Sequence, residues 1–302
     1  MKKKEIKNYI DKLKGKLSDE EIFWIEKGMK EYQFFEDDIV EFFTKNKFYE
    51  HYMFSSLPGF GKTWTVEDLA ELLGINLVKF DGSLGVLSFM ADVAHILNTA
   101  PKGKTKIFCK FDDNDSLFDK KEDMNVIKGM FDEKRKVLAY SKSKGPAYFS
   151  LDDLQKEALE KFMIPGKSGF SIPMDRFVFI ILTNKWFPTT DDVERASVSK
   201  QDLYRGLAAI RRRVRYKDIK FTQGVDWGYC IHMLMTKPIC EKSYAKISFE
   251  EKLEIIRFTS PLANWNKLEE RNLSTFDKMT KDMLRFPTEY INRWRSSYLN
   301  KK

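Results

Sequence analysis

The stretch SLPGFGKT, Ser56–Thr63, packs a proline, two glycines, a lysine and a threonine into eight positions. It follows the phosphate-binding pattern of glycine, four residues, then Gly-Lys-Ser/Thr, with Ser56 standing where the first glycine is usual. Gly61, Lys62 and Thr63 fall in register, and Gly59 adds freedom inside the loop. Each residue type has a task. Glycines let backbone N–H groups turn inward around phosphate oxygens. Lys62 would reach the β- and γ-phosphates, and Thr63 would offer its hydroxyl to Mg²⁺. An apolar stretch, HYMFSS (51–56), precedes the loop. A helical pattern, KTWTVEDLAELLG (62–74), follows it and points its positive end at the same anion. The expectation is a nucleoside triphosphate held by Pro58, Gly59, Phe60, Gly61, Lys62 and Thr63, with Trp64 beside it. The alternative is a glycine-rich turn with a chance Lys-Thr.

Outward from the loop, strand and helix patterns alternate. INLVKF (75–80), KIFCKF (106–111), KVLAYSK (136–142), FVFIIL (177–182) and VRYKDIKF (214–221) read as strands. Helices are expected over VLSFMADVAHIL, MNVIKGMFDEK, LDDLQKEALEKFM and SKQDLYRGLAAIRRR, the last with Ser199 and Asp202 at capping spacing. Strands separated by helices predict an α/β fold, a parallel sheet with helices on both faces. The first fifty residues read as helices, with a capping box at Ser18 and Glu21 opening EEIFWIEKGMKEYQFF and a further helix at DDIVEFF. After about residue 224 only helical patterns remain, and Ser248 and Glu251 form another capping box.

Three further clusters carry chemistry. KIFCKFDD ends a strand on Asp112 and Asp113. The first carboxylate would hold the Mg²⁺ shell and the second would polarise an attacking water. Lys110 interrupts what should be an apolar strand, and Asp115 and Asp119 continue the charge, so a solvated acidic turn is the other reading. FVFIILTN brings Asn184 to the sheet's C-terminal edge, where ligands bind in open α/β sheets. There it would bond the γ-phosphate or the lytic water, or act simply as a turn former. Arg211, Arg212 and Arg213 end a helix before a strand. The helix dipole favours cations there, and an arginine finger for a neighbouring subunit is the functional reading.

In this order the motifs resemble those of an AAA+ ATPase. The resemblance covers about residues 51–221, and the helical tail is similar to that family's lid. It implies an N-terminal helical arm over 1–50, a P-loop ATPase core over 51–223 and a C-terminal helical lid over 224–302. It also implies ATP with Mg²⁺, Walker A at Lys62 and Thr63, Walker B at Asp112 and Asp113, and sensor 1 at Asn184. Arg213 matches the finger position best, with Arg211 and Arg212 as alternatives. Arg271 is offered as a sensor 2 residue, at spacing that does not match well. The segment before sensor 1 resembles one that projects a hairpin into a ring's pore, with Lys142 and Lys144 for phosphates and Tyr140 and Tyr148 for stacking. DGSLGVLSF (81–89) is another pore candidate. The resemblance implies a homo-oligomeric ring that hydrolyses ATP at subunit interfaces and acts on nucleic acid. A protein substrate and a small-molecule kinase are the alternatives.

Composition sets the outer limits. The 302 residues carry 53 basic and 45 acidic side chains, a net +8, which suits an acidic partner such as nucleic acid. Cys109, Cys230 and Cys240 are too few and too scattered for a disulfide framework or a zinc site. No apolar run is long enough to span a bilayer, and the first residues lack a signal peptide's apolar segment. The expectation is a soluble, cytoplasmic protein that does not engage a membrane.

Overall fold

The computed structural model describes residues 9–45, 50–82, 85–101, 103, 105–132, 136–140, 145–222, 224–237 and 247–299. The chain divides into two compact units. An α/β unit comprises Val40–Ser56 and Thr63–Ile219, and a helical unit comprises Met1–Ile39, Leu57–Lys62 and Lys220–Lys302.

The α/β unit is organised by a five-stranded sheet whose paired strands all run parallel. Its strands are β1 (Tyr52–Ser55), β2 (Leu77–Asp81), β3 (Ile107–Asp112), β6 (Phe177–Thr183) and β7 (Arg215–Asp218), in spatial order β2-β3-β6-β1-β7. Strand alternation divides β6 between two packed faces. Phe177, Phe179 and Ile181 join Cys109 and Phe111 of β3 in one apolar cluster. Helices α3 (Val86–Thr99), α4 (Lys121–Met130) and α8 (Val198–Arg211) complete that cluster through Phe89, Val93, Ile127 and Ile210. Val178, Ile180 and Leu182 are buried on the opposite face. There Phe108 of β3 packs edge-on against Phe42 and Phe43, at 5.6 Å each. Those two phenylalanines lie near the end of α1 (Asp19–Thr44). The helix α2 (Lys62–Leu72) covers the same face through Thr63 and Glu67, which bond side chains of β3. The sheet is therefore covered by helices on both sides, and its apolar strands follow from that.

Two short strands stand apart from the parallel sheet. β4 (Val137–Tyr140) and β5 (Phe170–Pro173) pair antiparallel, Leu138 opposite Ile172. Of the strand expected over 136–142, Val137–Tyr140 forms and belongs to a separate ladder, while 141–142 lie outside the described residues. Its partner FSIP gives no sequence signal, being four residues long and ending in proline. Between them lie a single turn of helix, α5 (Pro146–Phe149), and α6 (Asp153–Glu160), which opens with a capping box of Asp152 and Gln155. α7 (Thr190–Arg195) is likewise opened by Thr189 and Asp192. The capping box expected at Ser199 and Asp202 does not form. Helix α8 starts one residue before Ser199, and Asp202 instead takes Lys121 at 2.8 Å.

In the helical unit, the two helices expected over 20–43 are one 26-residue helix, α1, opened by the Ser18–Glu21 box. Nothing in EEIFWIEKGMKEYQFFEDDIVEFF breaks the helical ladder, since glycine alone is tolerated there. That glycine has a packing reason. A Cβ on Gly28 would fall 2.0 Å from the backbone nitrogen of Tyr229, and one on Gly228 would fall 2.0 Å from the carbonyl oxygen of Trp24. Thus α1 and α9 (Val225–Thr236) cross glycine to glycine, with Trp24 edge-on to Trp227 at 6.5 Å. The remaining helices are α10 (Phe249–Thr259), α11 (Leu273–Arg285) and α12 (Tyr290–Ser297). The Ser248–Glu251 capping box opens α10 as expected. Buried Trp265 donates to Asp226 at 3.0 Å, and Trp227 donates to Thr259 at 3.1 Å. Among the described residues no helix is long and apolar enough to cross a membrane.

Candidate functional site

Ser55, Asp112, Asp113, Thr183 and Asn184 meet at the carboxyl edge of the parallel sheet. Its strand order places β6 between β1 and β3, so the tip of β6 borders both neighbours. On the β1 side, the Ser56 amide donates to the Thr183 carbonyl at 3.2 Å and the Ser55 hydroxyl donates to the Lys185 carbonyl at 2.8 Å. On the β3 side, Asp115 takes a short hydrogen bond from the Thr183 hydroxyl and a second from the Asn184 amide at 3.2 Å. Beyond this latch, the Asn184 side-chain amide lies 3.5 Å from Asp113 Oδ1, and both residues are exposed. Asp113 adopts a left-handed backbone, φ 53°. Aspartate tolerates that conformation better than most residues, and it turns the chain sharply at the strand tip. Asn114 follows, buried, donating to the Phe80 and Asp112 carbonyls at 2.7 and 2.8 Å.

Asp112 is held from two directions. The Thr63 hydroxyl donates to its Oδ2 at 2.5 Å, and the Lys110 ammonium approaches the same oxygen at 3.4 Å. Burial pushes the Asp112 carboxyl up, and the Thr63 bond and the Lys110 charge only partly offset it. Lys110, one pleat back on the same face, is 1% exposed and also pairs with Glu67 of α2 at 2.6 Å and Asp81 of β2 at 2.7 Å. Burial disfavours its charged form, but the bonds to Asp81 and Glu67 and the charge of Asp112 outweigh that and raise its pKa. Glu67 is driven the other way: burial raises it, yet Lys110 and Lys79 hold it below the usual carboxylate range.

A hydroxyl that donates its proton to a carboxylate keeps its lone pairs for a cation. Thr63 and Asp112 therefore suit a hard divalent ion that takes most of its ligands from phosphate oxygens and water. Among the described residues no group of three or more histidine, cysteine or carboxylate side chains has metal-binding geometry.

In the helical unit, the loop Leu57–Lys62 has a defined shape of its own. Gly59 and Gly61 both have positive φ, +79° and +71°. Both positive φ values favour glycine, and at Gly59 a Cβ would also meet Asn272 at 2.7 Å, whereas at Gly61 it would meet only the flexible end of Met233, at 2.7 Å. The Lys62 ammonium donates to the Leu57 carbonyl at 3.3 Å, closing the loop on itself. Phe60 is buried against Phe221 and Tyr229, ring centroids 4.7 and 5.9 Å away. The Gly59 carbonyl accepts from the Leu273 amide at 3.0 Å, which sets Asn272 and the start of α11 on the loop. Arg271, the candidate with the poorest spacing, is the exposed residue just before them. Pro58 is exposed and Trp64 is half-buried.

The three arginines differ sharply. Arg211 donates to the Phe187 carbonyl at 2.5 Å and lies over the Tyr216 ring at 4.4 Å. Arg213 pairs with Asp132 at 3.6 Å. Arg212 is exposed at the C-cap of α8, beside a cleft of about 360 Å³ that it lines with Thr189 and Tyr216. Tyr148 is buried and donates to Glu160 at 2.7 Å, while Lys142 and Lys144 lie outside the described residues, as do Ser83 and Leu84 of the other pore candidate. Cys109 and Cys230 are buried free thiols, and Cys240 also lies outside the described residues.

Sequence reasoning missed Glu67, Asp81 and the latch formed by Asp115. The interruption of an apolar strand by Lys110 was the only signal of the first two. Asp115 looked like continuing surface charge, and its role depends on β6 pairing with β3. Neither protein-family models nor curated proteins give a match to this chain.

Proposed function

We propose that this protein is a Mg²⁺-dependent ATPase of the AAA+ type, which works as a homo-oligomer and remodels or translocates nucleic acid. The observation that carries the reading is the paired carboxyl edge of β3 and β6. There Thr63, from the glycine-loop helix, bonds Asp112, while Asp113 and Asn184 stand exposed within hydrogen-bond reach of each other. In this reading the loop residues Pro58–Trp64 surround the triphosphate. Lys62 leaves the Leu57 carbonyl for the phosphates, and Thr63 and Asp112 hold Mg²⁺, which neutralises charge on the transferred phosphoryl group. Asp113 takes the proton of the attacking water and Asn184 orients that water. The latch of Asp115 on Thr183 keeps those two side chains in register.

The helices after residue 223 act as the lid, which the seating of the loop on Asn272 and Leu273 supports. Arg211 and Arg213 are engaged within their own chain, so exposed Arg212 joins Arg213 as the residue to test for completing a neighbour's site. The net charge of +8 supports nucleic acid as the substrate.

ATP turnover against protein concentration, with and without single-stranded DNA, tests the proposal. Specific activity should rise with concentration and with DNA. It should fall about 10³-fold or more in the Arg212→Ala or Arg213→Ala chain, whichever removes the finger. Mixing that chain with inactive Lys62→Ala chains should restore part of the activity. Turnover indifferent to concentration, DNA and both arginines would overturn the ring. Turnover that depends on concentration but not on DNA would replace nucleic acid with a protein substrate.

A further inference from the structure

Arg211 is the last residue of α8, where the helix dipole alone would favour a cation. Its guanidinium is nonetheless spent on another part of the chain. Nη1 donates to the Phe187 carbonyl at 2.5 Å, and the group lies over the Tyr216 ring at 4.4 Å. The Tyr216 hydroxyl in turn accepts from the Phe187 amide at 3.3 Å, and the two rings are 5.9 Å apart. One side chain from α8 and one from β7 therefore hold both backbone groups of Phe187, in the loop between β6 and α7. A planar fork that bonds a carbonyl while lying on a ring is a task for arginine, which a lysine ammonium performs poorly.

Arg212 and Arg213 follow Arg211 directly, so this clamp fixes the turn that carries them. On its other side Phe187, wholly buried, meets Phe118 edge-on at 5.1 Å. Phe118 ends the 3₁₀ turn Asp115–Phe118, whose first residue latches Thr183 and Asn184. Asn184 and the arginine turn are thus joined through Asp115, Phe118, Phe187 and Arg211, each in contact with or one short turn from the next. Close-packed side chains transmit a displacement instead of absorbing it.

We propose that Arg211 is a positioning residue that sets where Arg212 and Arg213 stand relative to Asn184. What occupies the tip of β6 then governs the arginine offered to a neighbouring subunit. The role rests on the ATPase reading above, and it separates Arg211, which acts through the next two residues, from the finger itself.

The test is steady-state ATP turnover of full-length chains, alone and mixed. Arg211→Ala should lower kcat on the order of tenfold to a hundredfold and leave KM for ATP within about twofold of wild type. Arg211→Lys, which keeps the charge but not the planar fork, should fall nearly as far. Mixing Arg211→Ala with Lys62→Ala should restore part of the activity, because the first chain keeps its nucleotide site and the second its arginines. Mixing it with whichever of Arg212→Ala and Arg213→Ala lacks the finger should restore none, because both chains fail in the same role. A residue that only stabilised the fold would give neither pattern. Undiminished turnover in Arg211→Ala, a raised KM, or no recovery with Lys62→Ala would overturn the proposal, as would failure of both Arg211 variants to fold. Wild type without any ATP turnover would instead sink the ATPase reading, and this role with it.

Discussion

Strands β3 and β6 lie side by side, end at the same edge and are both buried toward that edge, yet they are built in opposite ways. β6 is apolar from Phe177 to Leu182 and buried throughout. β3 carries Lys110 and Asp112 on the face where β6 carries Ile180 and Leu182, register partner against register partner. An apolar strand is stabilised by simple burial. A charged one persists only if every charge finds a partner, and those of β3 do, in Glu67, Asp81 and Thr63. The difference separates two ways of holding a strand: β6 rests on apolar burial, and β3 on charges paired with side chains of neighbouring elements.

The largest expected difference lies in the register pair Lys110 and Ile180. Lys110→Met should lose about 3 kcal/mol in urea unfolding, because it takes the ammonium from buried Asp112, which keeps only the Thr63 hydroxyl, while Glu67 keeps Lys79. Ile180→Val next to it should lose only about 0.5–1.5 kcal/mol. Equal losses would mean that Lys110 is as replaceable as an ordinary core residue. The strand tips come next. In the proposed ATPase, Asp113→Asn and Asn184→Ala should each lower ATP turnover about 10²-fold or more, and the double variant should be little worse than either, because there the two share one water. Additive losses would separate the two tips.

Acid attacks the apolar strand. The Phe179 amide of β6 donates to His51 Nδ1 at 3.1 Å. Burial, with the charges of Lys136 and Lys106, pushes the His51 imidazole down to about 3 from its ordinary 6.5. Between those values the unfolded chain binds a proton that the folded chain refuses, so stability falls as pH falls from 6.5 toward 3. The slope should be about 1.4 kcal/mol per pH unit. His232 in the helical unit, also pushed down to about 3 by burial first and Lys237 second, should contribute an equal slope. Urea midpoints measured from pH 7 to pH 5 should therefore drop, and His51→Asn should remove about half of the dependence. The smallest effect is at the helix after β6. Thr189→Ala removes the α7 cap and should cost about 1 kcal/mol in the same assay.

The same contrast explains what the sequence disclosed. FVFIIL could be read as a buried central strand because six consecutive apolar residues bounded by polar ones leave little choice. The capping boxes at Ser18 and Ser248 were legible because their partners lie three residues away. The box at Ser199 was not, because α8 begins one residue earlier and leaves Ser199 inside the helix. Strand β3 was only half legible. Asp112 and Asp113 stood at a readable strand end, but the partners of Lys110 are distant in sequence and are brought together only by the strand order. The ladder of β4 with β5 stayed hidden, since four-residue strands carry almost no periodicity. The two expected helices merge into α1 because nothing at Glu36, where they meet, breaks the ladder. Gly28, inside the first of them, has its reason in the backbone of Gly228 and Tyr229, far along the chain.

The most direct test of the account is equilibrium binding of ATP with Mg²⁺ to the wild-type chain and to Lys62→Ala. Saturable binding is expected, and Lys62→Ala should weaken it by on the order of tenfold to hundredfold, the loss of a charge-assisted contact to phosphate. Wild-type protein that binds no ATP, or binding that ignores Lys62, would contradict a nucleotide site at the edge of these strands.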